Sequence, residues 1–179
     1  APDSPTSPLG EYGRSKLQGE LAVRDILPTA LILRTGWVYS RFGGNFVKTM
    51  LRLMAERDEL GVVCDQVGTP TWARGLARAL WAAAQYPELS GVYHWSDAGA
   101  CSWYDFAVAI EEEARRLGML PEPTTVRPIP AAQYPTPAAR PAFSVLDKES
   151  SWRDLKLEPV HWRSQLRAML ADMKECEYE

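Results

Sequence analysis

Short uninterrupted apolar runs recur along the chain and predict β-strands. The clearest are ALILR at 30–34, GVVCD at 61–65 and GVYHWS at 91–96. Such runs are typical of strands in a parallel sheet that is covered on both faces. ALILR is therefore expected to be a buried central strand, and a further short strand is predicted near VRPI at 126–129.

Between these runs apolar residues return every three or four positions, which predicts amphipathic helices. The predicted helices are residues 12–25, a segment with Asn45 as N-cap, a segment from Trp72, a segment from Ser102 to Gly118, and two segments near 150–155 and from Trp162. The third helix has a predicted core stripe of Trp72, Leu76, Leu80 and Ala83. The proline-rich segment 121–141 is expected to be an ordered functional loop or an excursion over the surface.

Strands that alternate with helices predict an α/β protein. The three or four strands would form one small parallel sheet, which fits the later part of a doubly wound, Rossmann-like sheet with a small mixed α/β lobe. ALILR would keep an unpaired edge, through which the chain is expected to associate or form a homodimer. The opening APDSPTSPLG lacks an initiator methionine and indicates the middle of a longer protein.

Composition restricts the classes of function. A net charge of −3 without a basic cluster argues against nucleic acid as a partner. No apolar run approaches the roughly 20 residues of a transmembrane helix, so no membrane partner is expected. Three scattered cysteines predict reduced thiols in a cytoplasmic protein. The two histidines, His94 and His161, are interpreted as structural, and no metal site is predicted.

The segment EYGRSKLQGE places Tyr12 and Lys16 four residues apart, on one face of the first predicted helix. The ammonium group of a neighbouring lysine favours the deprotonated form of a phenol, which suits proton transfer near neutral pH. A solvated helix face would explain the same pair. The pair by itself leaves both interpretations open.

Further motifs follow in a fixed order, namely LILRTGWVYS, NFVKTMLRL, DQVGTPT, GVYHWS and PTPAARPAFSVLD. Together with PLGEYGRSKLQGE they closely resemble the extended short-chain dehydrogenase/reductase family, in particular the group that acts on dTDP-4-dehydro-L-rhamnose. The resemblance implies a cytoplasmic oxidoreductase of nucleotide-sugar and polysaccharide biosynthesis that uses NADPH, or else NADH. It also implies that residues 1–100 belong to the NAD(P)-binding Rossmann domain, with insertions from the substrate lobe, and that residues 101–179 are mainly that lobe.

The resemblance implies roles for individual residues. Tyr12 would protonate the carbonyl oxygen of a dTDP-sugar, while Lys16 would assist it and bind the nicotinamide ribose. Arg34 and Thr35 would contact the cofactor, although Arg34 could instead pair with a carboxylate. The expected substrate-binding residues are Trp37, Gln66, Thr71 and Arg140. Each has a structural alternative: a core aromatic for Trp37, a fixed turn for the DQVGTPT loop, and a surface salt bridge for Arg140.

The chain departs from the family pattern in three places. The glycine-rich dinucleotide fingerprint is absent, and so is the Ser/Thr that assists the tyrosine, so the chain is expected to be an inactive C-terminal portion of the enzyme. Where some relatives carry a magnesium-binding glutamate this chain has Arg74. The alternatives are a non-catalytic regulatory subunit of this fold, like the β subunit of methionine adenosyltransferase, or another nucleotide-sugar epimerase or dehydratase.

Overall fold

The computed structural model describes residues 1–136 and 140–176. Its helices are α1 (Glu11–Ile26), α2 (Phe46–Glu56), α3 (Ala73–Ala83), α4 (Trp103–Arg116), α5 (Glu149–Asp154) and α6 (Trp162–Glu175). Its strands are β1 (Leu31–Arg34), β2 (Val38–Tyr39), β3 (Glu59–Val63), β4 (Val67–Gly68), β5 (Thr71–Trp72), β6 (Gly91–His94), β7 (Cys101–Ser102) and β8 (Thr125–Ile129). Residues 137–139 of the predicted proline-rich loop, and residues 177–179, lie outside the described residues.

The strands pair two by two. β1 runs parallel to β6, with Leu31 opposite Gly91 and Arg34 opposite His94. β3 runs parallel to β8 and β2 parallel to β5, whereas β4 and β7 are antiparallel. Parallel strands separated by helices confirm the predicted α/β class.

The prediction of one common parallel sheet is wrong. GVVCD pairs with the strand near VRPI, in a sheet separate from that of ALILR. The physical reason lies in the alternating burial of β3: Leu60 and Val62 face the core, whereas Glu59 and Gly61 are exposed. A strand that buries one face is covered by helices on that face only. ALILR is half-buried along its length within the described chain, not fully covered as expected.

Two hydrophobic clusters carry the fold. The first joins Ala79 of α3, Trp95 after β6 and Leu155 after α5. The second is larger and is built mainly by the buried faces of α2, α4 and α6. Leu155 packs in the first cluster although it lies far beyond residue 100, so the two clusters interleave along the sequence. The predicted domain boundary at residue 100 stays a prediction.

Helix α3 packs through three of its four predicted core residues, with Leu80 as the exception. Gly75 and Ala79 are its buried residues, whereas Leu80 is 52% exposed. A Cβ atom on Gly75 would lie 3.4 Å from Oδ1 of Asp97. The helix therefore approaches the strand end at Asp97 through its smallest residues, which turns Leu80 away from the core.

The start of helix α4 is fixed by a reciprocal cap. The hydroxyl of Ser102 accepts a hydrogen bond from the backbone N–H of Asp105 at 3.0 Å, and the Asp105 carboxylate accepts one from the N–H of Ser102 at 2.9 Å. Such a capping box satisfies two backbone donors and sets the direction of the chain at the helix entrance. Trp103, the first residue of α4, is placed by this cap.

A buried carboxylate joins α4 to α6. Glu113 is fully buried, and its two oxygens accept hydrogen bonds from Nε and Nη2 of Arg167, each at 2.9 Å. Arg163 and Arg116 also lie within ion-pair distance of it. The hydrogen bond from Arg167 is the main cause that holds the pKa of Glu113 below its usual range.

We expect Glu113→Gln to lower the free energy of unfolding by about 1.5–3 kcal/mol, because hydrogen bonds to a charged group are lost in a buried place. This stabilisation is present above the ordinary pKa of a glutamate and disappears as the pH falls through the lower folded-state pKa. Urea unfolding measures it. The control is Glu112→Gln, whose half-exposed pair with Arg163 should be worth less than about 1 kcal/mol; equal losses in the two variants would contradict the assignment.

Candidate active site

A cavity of about 380 Å³ lies at the carboxyl ends of β1 and β6. Parallel pairing brings both strand ends to one edge, where open α/β sheets bind ligands. Its walls combine indoles, hydroxyl groups, a glutamine and an arginine, contributed among others by Thr35, Trp37, Gln66, Ser96, Trp103 and Arg140.

A second cavity, of about 800 Å³, adjoins the first. Gln66, Trp103 and Arg140 line both cavities, so they form the junction between them. Arginines and a tyrosine contribute to the walls of the larger cavity, namely Arg52, Arg57 and Tyr134. The two spaces together suit a ligand with two unequal parts and a negatively charged connection.

Trp37 belongs to a tight turn between β1 and β2 and has a left-handed backbone with φ of 51°. Thr71 holds this turn in place. Its backbone N–H donates to the carbonyl oxygen of Trp37 at 3.0 Å, and its hydroxyl donates to the carbonyl oxygen of Gly36 at 2.7 Å. The unusual backbone is therefore secured by hydrogen bonds from β5.

The indole of Trp37 stacks on that of Trp103, with ring centroids 3.5 Å apart and planes within 8°. Phe46 of α2 packs against Trp103 from a centroid distance of 4.7 Å. Sequence reasoning missed the place of Trp103 in the cavity wall. Trp103 is the first residue of α4 and directly follows the N-cap Ser102 at the end of β7. This position at a capped helix start is the signal that could have indicated a site residue.

The structure brings four of the predicted binding residues to the cavity: Thr35, Trp37, Gln66 and Arg140. Thr71 is fully buried behind the wall and supports the turn instead of facing the cavity. Arg140 makes no ion pair with another described residue, so the alternative of a surface salt bridge finds no partner there. Its substrate contact stays a prediction.

Arg34 is engaged by Glu20 of α1. Its Nε and Nη2 atoms donate to the Glu20 carboxylate at 2.9 and 2.7 Å, and both side chains are largely buried. This is the carboxylate pairing that the sequence left open as the alternative to a cofactor contact. The ion pair joins α1 to the strand that leads into the cavity.

Tyr12 and Lys16 lie on the same face of α1, as their spacing predicts. Lys16 Nζ is 5.3 Å from the centre of the Tyr12 ring, and the tyrosine is 76% exposed. Neither residue is among those that line the two cavities. Within the described residues, neither the phenol nor the ammonium group has a hydrogen-bond partner, so both remain available to a ligand.

The two histidines differ. His161 is the N-cap of α6, where its Nδ1 accepts the backbone N–H of Arg163 at 3.2 Å, a structural role. His94 is buried, and its Nδ1 has no hydrogen-bond partner in the described part of the chain. Burial lowers the pKa of His94 and keeps the ring neutral.

Comparison with known proteins identifies the family. A family model described as the RmlD substrate binding domain matches residues 1–175. The chain belongs to the RmlD substrate-binding domain family. The dTDP-4-dehydrorhamnose reductase of Salmonella typhimurium is 43% identical over 172 residues, which cover 94% of this chain and 58% of that protein.

A second curated relative comes from Streptomyces antibioticus. This probable dTDP-4,6-dihydroxy-2-methyloxan-3-one 4-ketoreductase is 42% identical over 179 residues, covering 99% of this chain and 59% of that protein. The RmlD-family chain thus spans less than two thirds of the length of the curated relatives it matches.

Two solved structures agree with this membership. A dTDP-4-dehydrorhamnose reductase from Clostridium acetobutylicum is 36% identical with a TM-score of 0.86, over 96% of this chain and 59% of that one. One from Bacillus anthracis in complex with NADP is 33% identical with a TM-score of 0.85, over 95% and 58%. These structures confirm both the predicted family and the predicted Rossmann-like fold class.

Two negative observations concern only the described residues. None of the helices in 1–136 and 140–176 has the length and apolar character needed to cross a membrane. No group of three or more His, Cys, Asp or Glu side chains in the same ranges is arranged to hold a metal ion. The guanidinium group of Arg74 lies over the ring of Trp72 at 5.4 Å, and the absence of a metal site stays a prediction.

Asp97 braces the site of this RmlD-family chain from behind. It is buried after β6, and its Oδ2 accepts the backbone N–H of Trp72 at 3.1 Å, next to Thr71. Burial raises the pKa of Asp97 to about 7, against the opposing effects of the Trp72 N–H, Gln165 and Lys148. The carboxylate therefore ties β5 to the end of β6 at a cost in desolvation.

We expect the stability contribution of Asp97 to fall as the pH rises from about 4 to about 7 and then to stay constant. The unfolded chain releases this proton near pH 4, whereas the folded chain keeps it until about pH 7. Relative to Asp97→Asn, the free energy of unfolding of the parent should fall by at most about 4 kcal/mol over this interval. Urea unfolding at several pH values measures it. Asp58→Asn, a control at an exposed position, should show the same dependence of unfolding free energy on pH as the parent. If Asp97→Asn also shows the dependence of the parent, the assignment is wrong.

Proposed function

We propose that the protein to which this chain belongs reduces the 4-keto group of dTDP-4-dehydro-L-rhamnose with NADPH and forms dTDP-L-rhamnose. The observation that carries the proposal is the pair of adjoining cavities that share Gln66, Trp103 and Arg140. The smaller cavity matches a deoxysugar in size, and the larger one matches a nucleoside. The names of the relatives supply the same substrate class.

The sugar is proposed to occupy the smaller cavity. The face of the Trp37 indole offers an apolar surface to the C–H groups of a sugar ring, while hydroxyl and amide side chains in the wall can bond its hydroxyl groups. Arg140, at the junction, would bind the diphosphate. A guanidinium group matches phosphate oxygens with two parallel hydrogen bonds.

Tyr12, which is not among the residues that line the two cavities, is the proposed proton donor to the part of the sugar that extends beyond the smaller cavity. Its phenolic hydroxyl gives a proton to the carbonyl oxygen of the sugar, and the O–H bond of the tyrosine breaks as the new O–H bond forms. Lys16 stabilises the negative charge left on the phenolic oxygen. NADPH, when bound, supplies the hydride that the carbonyl carbon receives.

The free donors on α1 fit the ribose of such a cofactor. Lys16 has three N–H donors that no described residue uses, and the exposed Thr35 hydroxyl lies at the carboxyl end of β1. The Arg34 side chain is already occupied by Glu20, so a cofactor contact from Arg34 would use its backbone. The sequence given contains no glycine-rich loop for the pyrophosphate, so we propose that this chain alone is inactive.

A second candidate keeps the reaction and changes the sugar. The Streptomyces antibioticus relative, named as a probable 4-ketoreductase of another dTDP-linked sugar, matches 99% of this chain. The contacts that would distinguish the two sugars lie in the smaller cavity. Epimerase structures at 19% identity share the fold alone. The cytoplasmic location and a homodimer remain proposals.

Turnover by the full-length gene product tests the function. NADPH oxidation should require dTDP-4-dehydro-L-rhamnose, and Tyr12→Phe should lower kcat by a factor of about 10² to 10⁴ because the proton donor is gone. Substrate KM should change little. The matched control is Tyr104→Phe on α4, whose hydroxyl has no described partner. No NADPH oxidation by the parent would refute the function, whereas an active Tyr12→Phe would refute only the role of Tyr12.

The diphosphate contact has its own test. Arg140→Gln in the full-length protein should raise the Kd for dTDP by about 10- to 150-fold, the equivalent of hydrogen bonds to a charged group. Titration calorimetry at two salt concentrations measures the effect, which should shrink at high salt. Arg115→Gln on the exposed side of α4 is the control; an equal, small change in both variants would place the diphosphate elsewhere.

A further inference from the structure

We propose that Gly68 and Trp103 are specificity-determining positioning residues: together they fix the indole of Trp37 and so set how tightly the protein holds the sugar part of its ligand relative to the nucleotide part. The inference rests on the proposed function only in taking the ligand to be a nucleotide-linked sugar. None of the roles assigned above from motifs includes either residue.

Trp37 has a backbone conformation that a large side chain rarely adopts. Its φ of 51° lies in the left-handed region, where the Cβ atom of an L-residue comes too close to the following carbonyl oxygen. Strain of this kind persists only where the surroundings enforce it. Thr71 enforces the backbone through its bonds to the carbonyls of Gly36 and Trp37, which leaves the placement of the indole to the groups that contact the ring.

Trp103 fixes the ring from one side. The two indoles lie 3.5 Å apart and almost parallel, so neither ring can tilt without the other. Trp103 is itself anchored twice, by the capping box at Ser102 and Asp105 and by the ring of Phe46. The aromatic wall of the smaller cavity is therefore held by both α2 and α4.

Gly68 approaches the same indole through its backbone. A Cβ atom on Gly68 would lie 2.5 Å from Cε2 of Trp37, 2.7 Å from Cζ2 and 2.7 Å from Oγ of Ser144. The φ of Gly68 is outside the left-handed region, so the strand conformation does not demand glycine. The space taken by the indole, and by the Ser144 hydroxyl beside it, excludes a side chain at this position.

The β4–β7 ladder links the two positioning residues. Gly68 pairs with Cys101, two residues before Trp103, so the distance between the glycine backbone and the stacked ring is set by backbone hydrogen bonds. Trp37 and Gly68 line no part of the larger cavity. Because Trp103 also lines the larger cavity, a disturbance at Gly68 should change the sugar cavity more strongly than the nucleotide cavity.

The test compares two ligands, dTDP and dTDP-L-rhamnose, by titration calorimetry with the full-length protein. The quantity measured is the Kd for dTDP divided by the Kd for dTDP-L-rhamnose. This ratio isolates the contribution of the sugar to binding. Gly68→Ala should reduce this ratio at least about tenfold while the Kd for dTDP stays within about threefold. Gly44→Ala, where an added Cβ meets nothing within 4 Å, should leave both constants unchanged.

Trp103→Phe provides a second, milder variant, because phenylalanine keeps the contact with Phe46 and loses part of the stack. Because Trp103 lines both cavities, the Kd for dTDP should also rise in this variant. The Kd for dTDP-L-rhamnose should rise by a further factor of about 2 to 10, the range expected for an aromatic pair. If Gly68→Ala does not fold, this variant decides the outcome. Near-ultraviolet circular dichroism of each variant reports the state of the indoles without any ligand.

The outcomes separate the two proposals. If the parent binds neither ligand, the proposed function is wrong and the inference fails with it. If the parent binds dTDP-L-rhamnose more tightly than dTDP, and the ratio is unchanged in the variants, the inference alone is overturned. Equal weakening of both ligands would also overturn it, because that result indicates general damage and no selective effect on the sugar cavity.

Discussion

The parallel pairing of β1 with β6 is the constraint on which the candidate site depends. It brings the ends of both strands to one edge, so that Thr35 and Trp37 follow one strand and Ser96 and Asp97 follow the other. β5 is then secured to this edge from both sides, by Asp97 on the N–H of Trp72 and by Thr71 on the turn at Trp37. The cavity is a consequence of these backbone connections, and its side chains are placed by them.

Buried charge is used differently at Glu113 and at Asp97. Glu113 meets three guanidinium groups that hold its charge, which makes the α4–α6 contact specific. Asp97 has weaker compensation, and burial dominates its protonation. Removal of the carboxylate should therefore cost less stability at Asp97 than at Glu113. Asp97 would then be retained only if its connection to β5 is needed for the site. Asp97 lies directly behind Thr71, and this position favours a role for that connection in holding the site together.

Much of the local structure was predictable because it depends on neighbouring residues. Ser102 as a cap, Gly118 as a helix stop with φ of 70° and the apolar stripe of α6 all follow from short-range rules. The pairing of β3 with β8 was not predictable, because short apolar runs carry no information about their partners. The stripe of α3 was predicted correctly except at Leu80, and Gly75 was missed because it is buried by what it meets and not by its own hydrophobicity.

The sequence by itself determined the six helices and the four longer strands, the family through its separated motifs, and the common face of Tyr12 and Lys16. The two-residue strands β2, β4, β5 and β7 were missed. Only the tertiary structure decided that Trp37, Gln66 and Arg140 meet at one cavity, that Thr71 stands behind its wall, and that Arg34 is taken by Glu20. The spacing of residues along a helix fixes which of them share a face. Contacts between elements depend on strand pairing and on backbone approach, as at Gly68, and these arise only when the whole chain packs.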